Sequence, residues 1–83
     1  MPRYFFHVRK DGREPDTTGV ELPGLEEARV EAAECLAQEL HDHRRELWND
    51  EDWSIEVTDD RGLVLLIVQS AAFEAASVKK PDA

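Results

Sequence analysis

Residues 41–53, HDHRRELWNDEDW, concentrate side chains that could do chemistry: two histidines, two arginines, two tryptophans and several acids. Histidine and carboxylate groups are common metal ligands in proteins. His41 and His43 lie two positions apart, however, which separates them by about 200° around a helix, so one ion cannot reach both. The same periodicity places His43 on the apolar face and His41 on the solvent face.

Glu39 and His43 are one helical turn apart and can offer a carboxylate and an imidazole to a metal ion or to acid–base chemistry. The alternative is that a neutral His43 closes the edge of the core with one hydrogen bond, and this is the interpretation we adopt. The acids of the following loops lack EF-hand spacing and are expected to be solvated: Asp50, Glu51, Asp52, Asp59 and Asp60. We therefore predict no metal site and no cofactor.

Nucleophilic catalysis finds no support in the sequence. The single cysteine, Cys35, has Glu31 and Glu39 one turn away, and these acids are expected to raise the pKa of its thiol. One cysteine also rules out a disulfide within the chain. No P-loop, G-x-G-x-x-G or G-x-S-x-G motif is present. The prediction is that the protein is not an enzyme and has no catalytic residues.

The elements that must position these residues are indicated by hydrophobic periodicity. Residues 3–9, RYFFHVR, alternate as a strand, with Tyr4, Phe6 and Val8 on one face and Phe5 and His7 on the other. The turn-rich segment KDGREPDTTG and a short edge strand, VEL, follow. A helix is predicted from about residue 25 to 47, because its apolar residues form one stripe: Leu25, Ala28, Ala32, Leu36, Leu40 and Leu47.

Two further strands are predicted after the helix. WSIEVTD alternates, with Trp53, Ile55 and Val57 inward, and DDRG is a turn. LVLLIV is apolar at every position, which is typical of a strand covered on both faces. The expected fold is α+β: a small antiparallel sheet of three to four strands, β(β)αββ, with one long amphipathic helix packed on one face. Residues 1–69 form a single domain, and residues 70–83 form a tail that starts with a short helix around Phe73.

One helix covers only one face of a sheet, so the other face is left as a candidate interaction surface. Either the tail or a second copy of the protein is expected to cover that face, and we predict a homodimer. At the end of the helix, Trp48 is either an exposed contact residue or a ring tucked under the loop. The candidate interaction residues are Phe5, His7, Trp48, Val64, Leu66 and Phe73.

Charge limits the partners that this chain can bind. The 83 residues include 19 acidic and 10 basic residues, a net charge of −9. Such a surface repels phosphates, so nucleic acids and anionic membranes are not expected partners. The N-terminal MPRYFFHVRK does not resemble a signal peptide, and LVLLIV is too short to cross a bilayer. The expected location is the cytoplasm.

Three segments in order, MPRYFFHVRKDG, DTTGVELPGLEEARVEA and WSIEVTDDRGLVL, resemble a family of short bacterial proteins that carry a domain of unknown function. The resemblance covers roughly residues 1–68 and leaves the tail outside. It implies a single domain and no established activity, cofactor or catalytic residue. The functional expectation is a non-catalytic protein-binding domain that acts as a homodimer. The alternatives are an antitoxin-like regulator that docks on a partner protein and a metal-dependent enzyme that uses His43 and acidic residues.

Overall fold

A computed structural model describes residues 1–10, 12–48 and 52–78 of the chain. Its strands are β1 (Arg3–Arg9), β2 (Arg13–Glu14), β3 (Val20–Glu21), β4 (Ser54–Thr58) and β5 (Val64–Gln69). The helix α1 (Leu25–Asp42) lies between β3 and β4 in the chain, and a short 3₁₀ helix spans Glu46–Trp48. The predicted α+β class is confirmed, and the two-residue strands β2 and β3 bring the sheet to five strands.

The sheet is antiparallel throughout, in the order β2-β1-β4-β5, and β3 pairs with the start of β1. Residues paired across an antiparallel sheet point to the same face. Phe6 pairs with Val57, and Val57 pairs with Leu66, which defines one row on the helix side. His7 pairs with Glu56, and Glu56 pairs with Ile67, which defines a row on the opposite, open side.

The core lies between α1 and one face of the sheet, as the alternating pattern predicts. The helix contributes the predicted stripe positions Ala28, Ala32 and Leu36, while Leu25 at its start remains partly exposed. The small alanines let the helix approach the sheet closely, and larger side chains from β1, β4 and the residue before β4 fill the remaining space. These larger side chains are Tyr4, Phe6, Trp53, Ile55 and Val57.

The helix ends five residues earlier than the predicted Leu47. His43 is its C-cap, with φ −124° and ψ 34°, and the His43 N–H still donates to the Glu39 carbonyl at 3.0 Å. The imidazole of His43 stacks on the indole of Trp53, with ring centroids 4.6 Å apart. Leu47 does contact the core, but from the 3₁₀ helix that follows. The apolar stripe therefore extends beyond the C-terminal end of α1 and into the 3₁₀ helix.

Strand β5 differs most from its prediction, because it lies at the edge of the sheet. Its apolar side chains had indicated a strand covered on both faces, yet Val64, Leu65 and Ile67 are exposed in the single chain. A register shift opposite Val57 and Thr58 also inserts one extra residue into β5. As a result Val64, opposite Thr58, lies on the open side, whereas Leu66 packs on the core. The two candidate interaction residues of this strand, Val64 and Leu66, therefore lie on opposite faces of the sheet.

The open side of the sheet is partly covered by the chain itself. The segment after β2 folds back over β1, so that His7 is only 7% exposed and Gly19 lies against the ring of Phe5. Phe73, in contrast, is 86% exposed, and residues 70–78 contain no helix. The short helix expected around Phe73 is not formed there.

Candidate functional site

The histidine at the end of α1 is held between carboxylates and a tryptophan. His43 Nε2 lies 3.6 Å from Glu39 Oε2, and His43 Nδ1 lies 3.8 Å from Glu46 Oε2. The imidazole stacks on Trp53, and the Lys10 ammonium lies 4.8 Å from the centroid of that indole. The predicted Glu39–His43 proximity is confirmed. The contacts tie the end of the helix to the start of β4.

The acidic loops show no metal-binding arrangement in the described ranges. No group of three or more histidine, cysteine or acidic side chains in residues 1–10, 12–48 and 52–78 is positioned to hold an ion. The Asp59 carboxylate instead accepts the N–H groups of Arg61 and Leu63, both at 2.9 Å, and so shapes the turn before β5. Asp50 and Glu51, which are also expected to be solvated, lie outside the described residues.

The Cys35 thiol is half-buried on α1 and packs against the core. Burial raises its pKa, and the neighbouring carboxylates Glu31 and Glu39 raise it further. The predicted direction of the shift is confirmed. A thiol with a raised pKa stays protonated at neutral pH, and the thiolate is the nucleophilic form.

A polar cluster that the sequence did not predict joins His7, Asp16 and Thr58 on the open side. The Asp16 backbone N–H donates to His7 Nδ1 at 3.0 Å, and His7 Nε2 lies 2.8 Å from Thr58 Oγ1. Because a backbone N–H can only donate, Nδ1 must accept, and Nε2 therefore carries the proton in the neutral ring. Both ring nitrogens of His7 are thus engaged in hydrogen bonds within the fold.

The Asp16 carboxylate organises the loop that covers this cluster. Its oxygens accept the N–H groups of Thr18 at 2.9 Å, Gly19 at 3.1 and 3.2 Å, and Phe6 at 3.1 Å. Burial by itself would raise the pKa of the Asp16 carboxyl, but these three donors and the nearby His7 together hold it below its ordinary value. The segment DTTG carries a recognisable signal for such a turn, an aspartate followed by a glycine that adopts positive φ.

A run of exposed apolar side chains lies at β5. We call the exposed side chains at this strand and the residue before it the β5 surface: Leu63, Val64, Leu65 and Ile67. The Ser70 N–H donates to the Trp53 carbonyl at 2.9 Å. Because the ladder alternates, the backbone groups of Val68 face β4 in the same way, and those of Ile67 and Gln69 face outward. The β5 surface therefore combines apolar side chains with outward-facing peptide groups.

A groove runs between this strand and the helix. Its volume is about 250 Å³, and its lining is mostly apolar: Arg29, Ala32, Leu66, Ile67 and Val68. A second cleft, of about 270 Å³, lies beside the His7 cluster and has acidic walls that include Asp59 and Asp60. Only the first of the two continues into the β5 surface.

The structure separates the predicted interaction residues into distinct places. Phe5 and His7 lie under the loop that follows β2, and Leu66 faces the helix. Val64 belongs to the β5 surface. Trp48 is 54% exposed, which decides between its two predicted placements in favour of the exposed ring. Phe73 is also exposed, but in the tail and apart from the others.

The described part of the chain contains no helix that could span a membrane. None of its helices has both the length and the apolar composition of a membrane span. α1 is the longest of them, and five of its 18 residues are glutamates.

Comparison with known proteins adds a family and nothing further. No curated protein and no solved structure matches the chain. The sequence profile of a domain of unknown function, DUF6894, matches residues 3–71, which include all five strands and α1. The match ends two residues beyond β5. The chain belongs to the DUF6894 family.

Proposed function

We propose that this protein is a small, non-catalytic interaction domain that acts as a homodimer through the edge of β5. The observation that carries the proposal is an apolar edge strand, VLLIVQ, which contains no charged residue and no proline. Soluble proteins usually protect such edges with charges, proline or a covering segment, because an unpaired strand recruits another strand. Among the residues that the structure describes, no strand pairs with the outer edge of β5.

A second copy of the chain is a partner that fits this edge. Two β5 strands can pair antiparallel about a twofold axis, so that each copy presents the same residues to the other. The outward peptide groups of Ile67 and Gln69 then form hydrogen bonds, and the apolar side chains of the two copies lie side by side. A strand that is buried in a dimer also accounts for the unbroken apolar run, which had indicated a covered strand.

The non-catalytic part of the proposal is supported by the polar clusters. His7 uses both ring nitrogens in hydrogen bonds within the fold. The raised pKa of Cys35 disfavours its thiolate. Asp16 and Asp59 each accept several backbone N–H groups. These side chains stabilise loops, which is a structural role.

Light scattering coupled to size-exclusion chromatography tests the dimer. The wild-type chain is expected to elute with twice the monomer mass of 9.5 kDa at micromolar concentration, and Ile67→Lys with the monomer mass. The matched control is Val78→Lys, because Ile67 is 60% and Val78 61% exposed and both are β-branched. The control is expected to remain a dimer. A wild-type monomer, or an Ile67→Lys dimer with unchanged circular dichroism, would overturn the proposal.

A further inference from the structure

The acidic residues of α1 are not distributed evenly around the helix. Positions three and four residues apart are neighbours on a helix surface, which defines two flanks. The acidic flank contains Glu27, Glu31, Glu34 and Gln38, and it adjoins Cys35, whose pKa is raised by Glu31 and also by Asp16 in the loop beside β1. Arg29, on the other side of α1, lines the groove beside β5, so the acidic flank faces away from β5.

The opposite flank of α1 begins with the charged residues Glu26 and Arg29 and continues with small and apolar residues. Arg29 lines the groove beside β5, and Ala33 and Ala37 continue from it at four-residue steps, followed by Leu40. Ala33 and Ala37 are exposed, and Leu40 is half-buried. Between Arg29 and Leu40, this flank carries no acidic residue. Three of the five glutamates of α1, Glu27, Glu31 and Glu34, thus lie on the flank away from the free edge of β5.

The position of α1 over the sheet brings this flank close to a β5 dimer axis. The helix packs more on β4 and β5 than on β1. Neighbouring strands are about 4.8 Å apart, so a helix that lies between β4 and β5 is about 10–14 Å from its twofold copy when two β5 strands pair, and the distance is shorter the nearer the helix lies to β5. Packed helices are separated by about 8–10 Å, and small residues permit the closer values.

We infer that the dimer interface has a second layer, in which the flank Ala33–Ala37–Leu40 of α1 packs antiparallel against the same flank of a second copy. This inference rests on the proposed β5 homodimer and adds to it a helix–helix contact above the joined sheets. The groove between α1 and β5 then becomes the interior of the dimer. A second copy is the fitting occupant, because it brings the uncharged segment Ala33–Ala37–Leu40 of its helix together with its own β5 edge, while Glu27, Glu31 and Glu34 lie on the opposite flank.

Cross-linking through single cysteines tests this contact. In a Cys35→Ser background, Ala33→Cys and Ala37→Cys place a thiol on the apolar flank, and Gln38→Cys places one on the acidic flank as the control. All three changes lie at exposed positions of α1. With a short bis-maleimide reagent, at least one of the two apolar-flank variants is expected to give a covalent dimer, and the control is expected to stay monomeric on a denaturing gel.

A charge variant gives an independent measurement. Ala37→Glu introduces a like-charge pair across the two helices and is expected to weaken dimerisation by about tenfold or more. Gln38→Glu adds the same charge on the other flank and is expected to change the dissociation constant by less than about twofold. If Ile67→Lys abolishes the dimer while Ala37→Glu does not weaken it and neither apolar-flank cysteine cross-links, the helix contact is wrong and the β5 homodimer stands. If the wild-type chain is a monomer, both the β5 homodimer and the helix contact are wrong.

Discussion

The carboxylate of Asp16 takes the place of a neighbouring strand where β1 has none. On its outer edge β1 pairs with β3 at Arg3 and Tyr4 and with β2 at Val8 and Arg9. Between these two short pairings, the Phe6 N–H donates to Asp16 Oδ2. A backbone donor inside the fold needs an acceptor, and here a side chain supplies it. Asp16 thereby holds the loop over His7 and accepts a hydrogen bond from an N–H group at the edge of β1.

Replacing Asp16 with asparagine tests this role. Asp16→Asn keeps the size of the side chain but turns one acceptor oxygen into an NH₂ group, which faces backbone donors. The free energy of unfolding is expected to fall by about 1–3 kcal/mol. Urea denaturation followed by circular dichroism measures the change. The control is Asp60→Asn in the exposed turn before β5, which is expected to leave stability nearly unchanged. Equal effects of the two variants would contradict the assignment.

The same residue gives the protein a defined acid sensitivity. The pKa of Asp16 is lowered from its ordinary value of 3.8 in the folded state. The stabilisation is therefore complete above pH 3.8 and is lost as the pH falls through the folded-state pKa. The stability difference between wild type and Asp16→Asn is expected to shrink over that acidic range. A difference that stays constant during acidification would show that the carboxylate charge contributes nothing.

Among the elements, the loop that covers β1 depends on a glycine. Gly19 has φ +74°, and a Cβ atom at this position would lie 2.9 Å from Phe5 Cε2 and from Arg3 Cγ. The loop can approach the ring of Phe5 only because no side chain intervenes. The cover over the open side of the sheet therefore requires both the backbone conformation and the close approach.

Three alanine substitutions separate these two requirements. Gly19→Ala is expected to cost about 1–3 kcal/mol in unfolding free energy, because strain and steric conflict add. Gly62→Ala has strain alone, since φ is +85° but no atom lies within 4 Å, and about 1 kcal/mol is expected. Gly12→Ala has neither and serves as the control. Thermal denaturation ranks the three, and equal losses for Gly19→Ala and Gly62→Ala would contradict the close packing on Phe5.

The elements also show how far the sequence determines the fold. Strict alternation in RYFFHVR and WSIEVTD predicted β1, β4 and their inward faces, because one face of each strand packs on the helix. The end of α1 was not predictable from periodicity, since the stacking of His43 on Trp53 joins residues ten positions apart. The exposure of β5 was not predictable either, because an apolar run does not reveal whether the segment that covers it belongs to the same chain.

The candidate site was predicted less completely than the fold. Trp48 and Val64 were predicted from residue type and position, and both side chains are exposed in the structure. Asp16 and Thr58 were missed. They are linked through His7, which is 51 residues away from Thr58 in the sequence, and such a contact leaves no periodic signal. Contacts of this kind depend on which strands become neighbours, and that is a property of the assembled sheet.

At the scale of the whole molecule, the proposed dimer links stability to concentration. A partner that binds only the folded chain stabilises it by mass action, so the midpoint of thermal unfolding rises with protein concentration. The wild-type midpoint is expected to increase over a roughly hundredfold range of concentration, and that of Ile67→Lys to stay constant. Differential scanning fluorimetry measures both. A constant wild-type midpoint would contradict a dimer that contributes to stability.

The pairing of β1 with β4 bears on how the chain folds during synthesis. Phe5–Arg9 pair with Ser54–Thr58, so the first strand to be made finds its main partner only after α1 and the following loop are complete. Contacts so distant in sequence slow folding, because a long loop must close before they form. An N-terminal fragment that ends at α1 would leave the longest strand without its central neighbour. The domain is therefore expected to fold late, as one cooperative unit, once β4 has been synthesised.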